Sequence, residues 1–177
     1  MICQKRFGEN GMRLFIASPV VLEDYRGVRE DFADCVEGKW VEEPQLHLTW
    51  LFLGEQEDFV PYAELVERIG GLSGAVPLQG LGAFGRPPKI LYAASHSKTL
   101  YRKARGFADA GCDMERFRPH VTLCRIRHID NTKQFWQTRK RYRGRHIGSI
   151  LPQIILYESV LTKEGPKYKK LAENREA

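Results

Sequence analysis

The stretches QLHLTWLFLG, residues 45–54, and RPHVTLCR, residues 118–125, decide how this sequence is interpreted. Each places a threonine two residues after a histidine, inside a run of apolar residues. Because alternate side chains of a β-strand point to the same face, about 6.5–7 Å apart, each stretch would present one imidazole and one hydroxyl together. We therefore predict two strands of the same design, one in each half of the chain.

The apolar neighbours define the opposite face of each predicted strand. In the first strand, the residues that would point away from the histidine are Leu46, Leu48, Trp50 and Phe52. In the second strand they are Val121 and Leu123. A strand that is apolar on both sides of a polar pair suits a rigid site.

One histidine in such a strand would most simply be a core residue bonded to a backbone carbonyl. Two copies favour a site. With five histidines and few threonines in 177 residues, the repeated spacing has a chance probability on the order of one in a hundred. The remaining histidines, His96, His128 and His146, have no such companion, so we assign them surface or structural roles.

Two imidazoles facing each other can move a proton on to one oxygen and off another in a single displacement, since histidine titrates near neutral pH. Threonine hydroxyls can donate hydrogen bonds to the non-bridging oxygens of a phosphate held between them. The pattern therefore predicts a metal-free phosphodiester site with a base, an acid and donors for the phosphate oxygens. Metal binding by the same two histidines is the alternative, although a carboxylate or third histidine at recognisable spacing is missing.

The charge of the chain favours an anionic partner. The net charge is +6 and the pI is about 9.2. The excess is concentrated in residues 125–146, where eight of 22 residues are Arg or Lys and only Asp130 is acidic. Aromatic residues are interleaved with these charges, which indicates either a nucleic-acid surface or the solvated face of a basic helix.

The chain has no stretch approaching the roughly 20 apolar residues that span a bilayer. Its first residues also lack the apolar segment of a secretory signal. We therefore expect a cytoplasmic protein without a membrane anchor. Its four cysteines form no CxxC pair, and we expect them to be reduced thiols.

Strand and helix patterns alternate along the chain. We predict strands at 12–20, 39–41, 46–53 (ended by Gly54), 76–85, 89–95, 118–126 and 147–162, followed by a hairpin through KEGP. We predict helices at 22–36, 61–69, 100–110 and 131–142. Several strand-to-strand steps are too short for a crossover helix, which indicates an α+β fold with mostly antiparallel sheets. We expect two pseudo-symmetric lobes with packed helices around a central cleft, in a single domain over residues 12–177 after an irregular N-terminal extension, residues 1–11.

The segments HLTW and HVTL resemble the paired H-x-T-x signature of the two-histidine (2H) phosphoesterase superfamily. Within it, the chain looks most similar to the RNA 2′,3′-cyclic phosphodiesterases, also called 2′-5′ RNA ligase-like proteins. The resemblance runs from Met12 to Leu171. It includes MRLFIA, KWV, LHLTWLFLG, GLGAFGRPP, ILYAA, FRPHVTLCR and LYESVLTKEGPKY.

The resemblance implies a bilobal fold and hydrolysis of a 2′,3′-cyclic phosphate at an RNA end to a 2′-phosphate, without metal or cofactor. His47 would be the proton donor to the leaving 3′ oxygen, and His120 would be the proton acceptor that activates water. Thr49 and Thr122 would hold phosphate oxygens. Arg125 matches a family arginine that binds the phosphate, but its odd spacing from His120 requires the strand to end, twist or bulge after Leu123.

Other RNA contacts are less specific in the sequence. We name Phe84, Arg86, Arg139 and Arg141 as possible contacts, since aromatic and arginine side chains stack on bases and bind phosphates. Trp50 is bulkier than the leucine common at the last signature position. The expected partner is RNA with a cyclic phosphate end, or a related nucleotide, and the expected state is a monomer.

Three alternatives remain at this point. The same histidine pair could join RNA ends through a 2′-5′ linkage, by microscopic reversibility. It could act on other small cyclic or 2′-5′ linked phosphodiesters. A non-enzymatic RNA-binding module would leave the intact pair of motifs unexplained.

Overall fold

The computed structural model describes residues 11–174, and within them ten strands and four helices. The strands are β1 Met12–Leu22, β2 Val36–Trp40, β3 His47–Gln56, β4 Val76–Gln79, β5 Leu81–Phe84, β6 Ile90–Ala94, β7 His120–Ile129, β8 His146–Ile150, β9 Ile155–Thr162 and β10 Gly165–Glu173. The helices are α1 Tyr25–Phe32, α2 Val60–Ile69, α3 Lys98–Asp109 and α4 Thr132–Arg141. The predicted extension, residues 1–11, lies outside the described residues except for Gly11, so it and the domain boundaries stay predictions.

The main sheet is nearly symmetrical about its middle. Its strand order is β10-β9-β1-β3-β7-β6-β5, and every pairing is antiparallel. Outward from the centre, β3 is followed by β1 and β9 on one side, and β7 is followed by β6 and β5 on the other. The first lobe is the half around β3, and the second lobe is the half around β7, with β2 also paired to β7. The predicted bilobal α+β fold is therefore confirmed.

Helices cover the faces of this sheet and close the core. In the first lobe, α2 packs on β9 and β10 and contacts α3. In the second lobe, α1 contacts α4, and the rings of Phe32 and Phe135 meet at 5.7 Å in a fully buried position. Both helices begin at side chains that cap them, because Asp24 accepts a hydrogen bond from the Gly27 amide and Asn131 from the Gln134 amide.

Several predicted elements begin or end at other residues in the structure; the strand predicted at 39–41 is Val36–Trp40, and the one predicted at 76–85 is divided into β4 and β5. The helix predicted over 22–36 is shorter, because Leu22 pairs with Gly148 in a strand and Val36 already belongs to β2. The long strand predicted over 147–162 is divided into β8 and β9. Pro152 lies at the break and has no N–H for a strand ladder, so the chain passes there from the small sheet of β4, β8 and the end of β1 to the main sheet.

The prediction that Gly54 ends the first motif strand is also wrong. β3 continues to Gln56, and Gly54 passes through it with φ of 70°. Glycine adopts this left-handed conformation without steric cost, so it forms an irregularity within the strand rather than its end. Among the described residues, no helix has the length and apolar character needed to cross a bilayer.

Candidate active site

The two histidine strands touch at the centre of the sheet. β3 and β7 pair antiparallel at Leu48 and Val121, the residues that directly follow the two motif histidines. Extending this register by one residue in either direction places His47 across from Thr122, and Thr49 across from His120. The two motifs are therefore related by a local twofold axis through one residue pair, and their polar side chains share one face.

That face is the floor of a cleft of about 2210 Å³. His47, Thr49, His120, Thr122 and Arg125 all line it. The side chains that alternate with them are buried in the core, as Leu48 and Val121 show with exposures of 1% and 0%. The structure thus brings together the five residues singled out by the sequence.

Both imidazoles are held in the same way. Nδ1 of His47 donates to the carbonyl oxygen of Gln45 at 2.6 Å, and Nδ1 of His120 donates to that of Arg118 at 2.7 Å. A carbonyl oxygen can only accept, so Nδ1 carries a proton in each ring and Nε2 is left for a substrate. The bond to a backbone carbonyl, considered above as a sign of a core histidine, here sets the ring orientation in a cleft.

The surroundings of His47 favour its neutral form. Burial lowers the pKa of the His47 imidazole below its ordinary value, and the positive charges of His120 and Arg125 lower this pKa further. The hydrogen bond to the Gln45 carbonyl acts in the opposite direction. Without a bound anion, His47 therefore favours its neutral form, and an anion placed between the three groups would favour protonation.

A β-bulge follows each motif at the same position. The pairing of β1 with β3 skips Trp50, between the partners of Ile16 and Ala17. The pairing of β6 with β7 skips Leu123, between the partners of Leu91 and Tyr92. Both skipped residues lie three positions after the motif histidine. An extra residue reverses the alternation of side chains along the strand. Beyond the bulge, a residue at an odd spacing from the histidine therefore points into the cleft instead of away from it.

The residues brought to the cleft by these bulges lie five positions after each histidine. In β7 this residue is Arg125, which therefore lines the cleft together with His120. Of the three possibilities considered for this strand (an end, a twist or a bulge), the structure has the bulge. In β3 the equivalent residue is Phe52. Its predicted place on the buried face is wrong, because it lines the cleft and is 68% exposed, whereas Trp50 is 3% exposed.

Aromatic side chains flank both histidines. Beside His47, the ring of Phe15 lies at 5.3 Å and that of Tyr168 at 5.4 Å. Beside His120, the ring of Phe84 lies at 5.0 Å and that of Tyr92 at 5.7 Å. The predicted site residue Phe84 therefore lies beside a motif histidine, although it is not itself part of the cleft lining.

Sequence reasoning missed Phe52 and Tyr168. The signal for Phe52 was its spacing of five from the first histidine, equal to that of Arg125 from the second. Tyr168 comes from the strand after the KEGP turn, and nothing in the local sequence ties it to His47. Its ring reaches the cleft because β9 and β10 form the predicted hairpin.

The other predicted RNA contacts are not part of the cleft lining. Arg86 is exposed in the turn between β5 and β6. Arg139 and Arg141 lie on α4, where Arg139 stacks on Trp136 at 5.1 Å and Arg141 approaches Asp31 at 3.7 Å. Their roles in RNA binding remain predictions.

Two other chemistries can be compared with the site. Burial raises the pKa of the Cys124 thiol to about 11, so this residue beside the second motif is a protonated core residue rather than a reactive thiolate. Among residues 11–174, no group of three or more His, Cys, Asp or Glu side chains is placed to hold a metal ion.

Comparisons with known proteins agree with this geometry. No protein-family model matches the chain. An RNA 2′,3′-cyclic phosphodiesterase of Aeropyrum pernix is 32% identical over 153 residues, covering 78% of this chain and 86% of that protein. The TT0787 structure of Thermus thermophilus superposes with a TM-score of 0.68 and 26% identity, over 92% of this chain and 97% of that one.

The fold is also that of Escherichia coli LigT. Its complex with 3′-AMP superposes with a TM-score of 0.68 and 24% identity, over 92% of this chain and 97% of LigT. The sequence similarity to the archaeal protein extends over most of both chains, and the folds agree over nearly their whole length. This chain belongs to the RNA 2′,3′-cyclic phosphodiesterase family of 2H phosphoesterases.

Proposed function

We propose that this protein hydrolyses the 2′,3′-cyclic phosphate at an RNA end to a 2′-phosphomonoester. The observation that carries the proposal is the pair of imidazoles, each fixed through Nδ1 and each free at Nε2, in one cleft. The name of the Aeropyrum pernix relative supports the same activity. A hydrolase of this type needs a base, an acid and donors for the phosphate oxygens, and the cleft contains all three.

The reaction divides between the two lobes. His120 accepts a proton at Nε2 from a water whose oxygen attacks the phosphorus. The bond from phosphorus to O3′ breaks, and His47 donates a proton from Nε2 to that oxygen. The negative substrate lies close to His47, so its binding offsets the influences that lower the pKa of His47 without a bound anion. The assignment of acid and base to the two lobes follows the family resemblance and is tested below.

Three further side chains bind the phosphate in this proposal. Thr49 and Thr122 donate to the non-bridging oxygens from opposite sides of the local twofold axis. Arg125 supplies a positive charge. Its attraction to the phosphate oxygens grows as the phosphorane-like transition state gains negative charge. The three donors are held on strands, so they need little rearrangement during the reaction.

The nucleobase next to the cyclic phosphate stacks on Phe52. This ring is the large hydrophobic side chain of the cleft with most of its surface exposed, and it lies beside Phe15 at 6.1 Å. Stacking of a base on an aromatic ring stabilises binding by about 1–3 kcal/mol and is tolerant of sequence. On the other side of the phosphate, Phe84 and the nearby Arg86 provide a second surface for a base or ribose.

Arg139 and Arg141 contact RNA at a distance from the reacting end in this proposal. Both belong to α4, whose exposed charged residues are all basic, and the partly exposed Trp136 stacks with Arg139. These are the features of a sequence-tolerant RNA surface. Replacing both arginines with glutamine should weaken binding of an oligomer and flatten its salt dependence, while turnover of a mononucleotide substrate stays unchanged.

The direct test uses an RNA that ends in a 2′,3′-cyclic phosphate. After incubation with the protein, phosphatase should remove the terminal phosphate, which a cyclic diester resists. The activity should persist in EDTA, because the proposed proton transfers require only the histidine pair. An RNA end that still resists phosphatase after incubation with the native protein near neutral pH would overturn the proposal.

Ligation through a 2′-5′ linkage uses the same groups in reverse, and we propose it only as a minor reaction because dilute water favours hydrolysis. We also propose a monomer, since one chain supplies both histidines, and a cytoplasmic location, where buried thiols such as Cys35 and Cys124 stay reduced. Light scattering of the purified protein and cell fractionation test these two points.

A further inference from the structure

The segment that holds His120 has no regular structure of its own. It joins α3 to β7 over residues 110–119. Within it, the Arg118 carbonyl accepts the Nδ1 proton of His120. The ring orientation of His120 therefore depends on how firmly an irregular segment is held. In the first lobe, the equivalent carbonyl belongs to Gln45, at the end of a short 3-10 helix, and the Gln45 side chain donates to the Pro166 carbonyl at 2.6 Å.

The second lobe has no matching hydrogen bond from Arg118 among the described contacts, and an aromatic stack takes its place. The residue before Arg118 is Phe117, whose ring lies 5.3 Å from that of Trp50 with only 8° between the two planes. Trp50 is itself fixed, because its indole N–H donates to the Ser18 hydroxyl at 2.9 Å and its other neighbour is Phe107 at 5.7 Å. It is 3% exposed.

We propose that Trp50, in the first lobe, is a positioning residue for His120 in the second. The rigid indole holds Phe117, Phe117 fixes the carbonyl of Arg118, and that carbonyl keeps the proton on Nδ1 of His120. The β-bulge of β3 takes part in this arrangement, because the residue that it leaves unpaired with β1 is Trp50 itself. The proposal extends the proposed function, on which its activity measurements rest.

An aliphatic residue could not replace this contact without a change in the segment. The leucine common at this signature position offers no flat surface to a phenyl ring, so the face-to-face geometry requires an aromatic partner. Displacement of a catalytic group by about 1 Å can lower turnover by about a hundredfold. Trp50 and Phe117 are among the residues around the cleft, but Trp50 is only 3% exposed. In this account it touches neither phosphate nor base, so its loss should affect kcat and leave KM nearly unchanged.

The test is a double-mutant cycle on a mononucleotide 2′,3′-cyclic phosphate. Trp50→Leu and Phe117→Leu should each lower kcat by about tenfold, and the double variant should be no worse than either alone, because both act through one contact. Trp50→Phe keeps an aromatic face and should retain most of kcat. Phe107→Leu removes the other ring beside Trp50 and is the matched control: it should lower the melting temperature yet leave kcat within about twofold.

A second readout does not depend on turnover. Nitrogen-15 NMR of His120 should show the proton on Nδ1 in the native protein and a mixture of tautomers in Trp50→Leu. Native kcat with an intact Nδ1 tautomer in Trp50→Leu would overturn the inference, as would an equal loss of kcat in Phe107→Leu. If the native protein turned over no cyclic phosphate, the tautomer shift would still decide the positioning role separately from the proposed function.

Discussion

The two lobes present the same strand, the same histidine and threonine, and the same bulge, but they differ at the residue that follows. Five positions after its histidine, the first lobe exposes Phe52 and the second exposes Arg125. The symmetric pair of strands therefore supplies the two imidazoles. The difference at this one position, Phe52 against Arg125, makes one side of the cleft apolar and the other cationic. The difference gives the cleft a direction: a base is expected over the first lobe and phosphate charge towards the second.

The largest effect should come from removing what the lobes share. Replacing either His47 or His120 with alanine should lower kcat for a 2′,3′-cyclic phosphate by about 10² to 10⁴, because each ring performs one of two concerted proton transfers. The double variant should fall well short of the product of the two losses, since the residues act as a unit. Steady-state rates on a mononucleotide substrate measure all three.

A modified substrate then assigns the acid and the base to a lobe. When sulfur replaces the leaving 3′ oxygen, the thiolate departs without needing a proton. His47→Ala should recover most of its activity on this substrate, whereas His120→Ala should not. Recovery by the His120 variant instead would reverse the assignment, and recovery by both would remove the base from the mechanism.

Arg125 should come next in size. Alanine at this position removes a charge-assisted hydrogen bond worth about 1.5–3 kcal/mol, so kcat/KM should fall by roughly 10- to 150-fold. Arg127→Ala is the matched control, because Arg127 is two residues further along the same strand and is not part of the cleft lining. Equal losses of kcat/KM in both variants would mean that the general positive charge of β7 supports activity and that Arg125 makes no specific contact with the phosphate.

Phe52 should have a smaller effect, confined to substrates with a base. Phe52→Ala should lower kcat/KM by about tenfold for a nucleoside 2′,3′-cyclic phosphate, and should leave the base-free ribose analogue unaffected, because only stacking is lost. Trp136, which is 41% exposed on α4, provides a control ring outside the cleft for these small substrates. A loss on both substrates would show that Phe52 shapes the site rather than binds the base.

The smallest effect is a change in titration. Burial, His120 and Arg125 lower the pKa of His47, so its ring should titrate below the ordinary value near 6.5. Arg125→Gln removes one positive charge and should move the pKa of His47 upward, which NMR titration can follow. The same change at Arg127 should leave it unmoved. A His47 pKa at or above the ordinary value in the free protein would contradict the effect assigned to burial and the nearby positive charges.

The sequence predicted what depends on local repetition. Two histidine–threonine pairs on strands were enough to predict the bilobal fold, and the odd spacing of Arg125 was enough to predict that the strand ends, twists or bulges after Leu123. The same reasoning was not applied to Phe52, because an apolar residue in an apolar strand gives no sign that its face has changed. Strict alternation would keep Phe52 with Trp50, and only the register against β1 shows otherwise.

Contacts between distant segments were beyond the sequence. The stack of Trp50 on Phe117 and the approach of Tyr168 to His47 join residues from different strands and loops. The geometry of the first contact depends on how the two lobes meet at Leu48 and Val121, and that of the second depends on the hairpin of β9 and β10. Nothing in a linear pattern reports that meeting point.

The most direct measurement is a crystal structure of the protein with a nucleoside 2′-phosphate, the expected product. The account predicts the phosphate between the lobes, with Nε2 of His47 within hydrogen-bonding distance of O3′ and Nε2 of His120 equally close to a phosphate oxygen. Arg125 should contact the phosphate and Phe52 should stack on the base. A phosphate bound outside the cleft, or one touched by a single imidazole, would contradict the shared site.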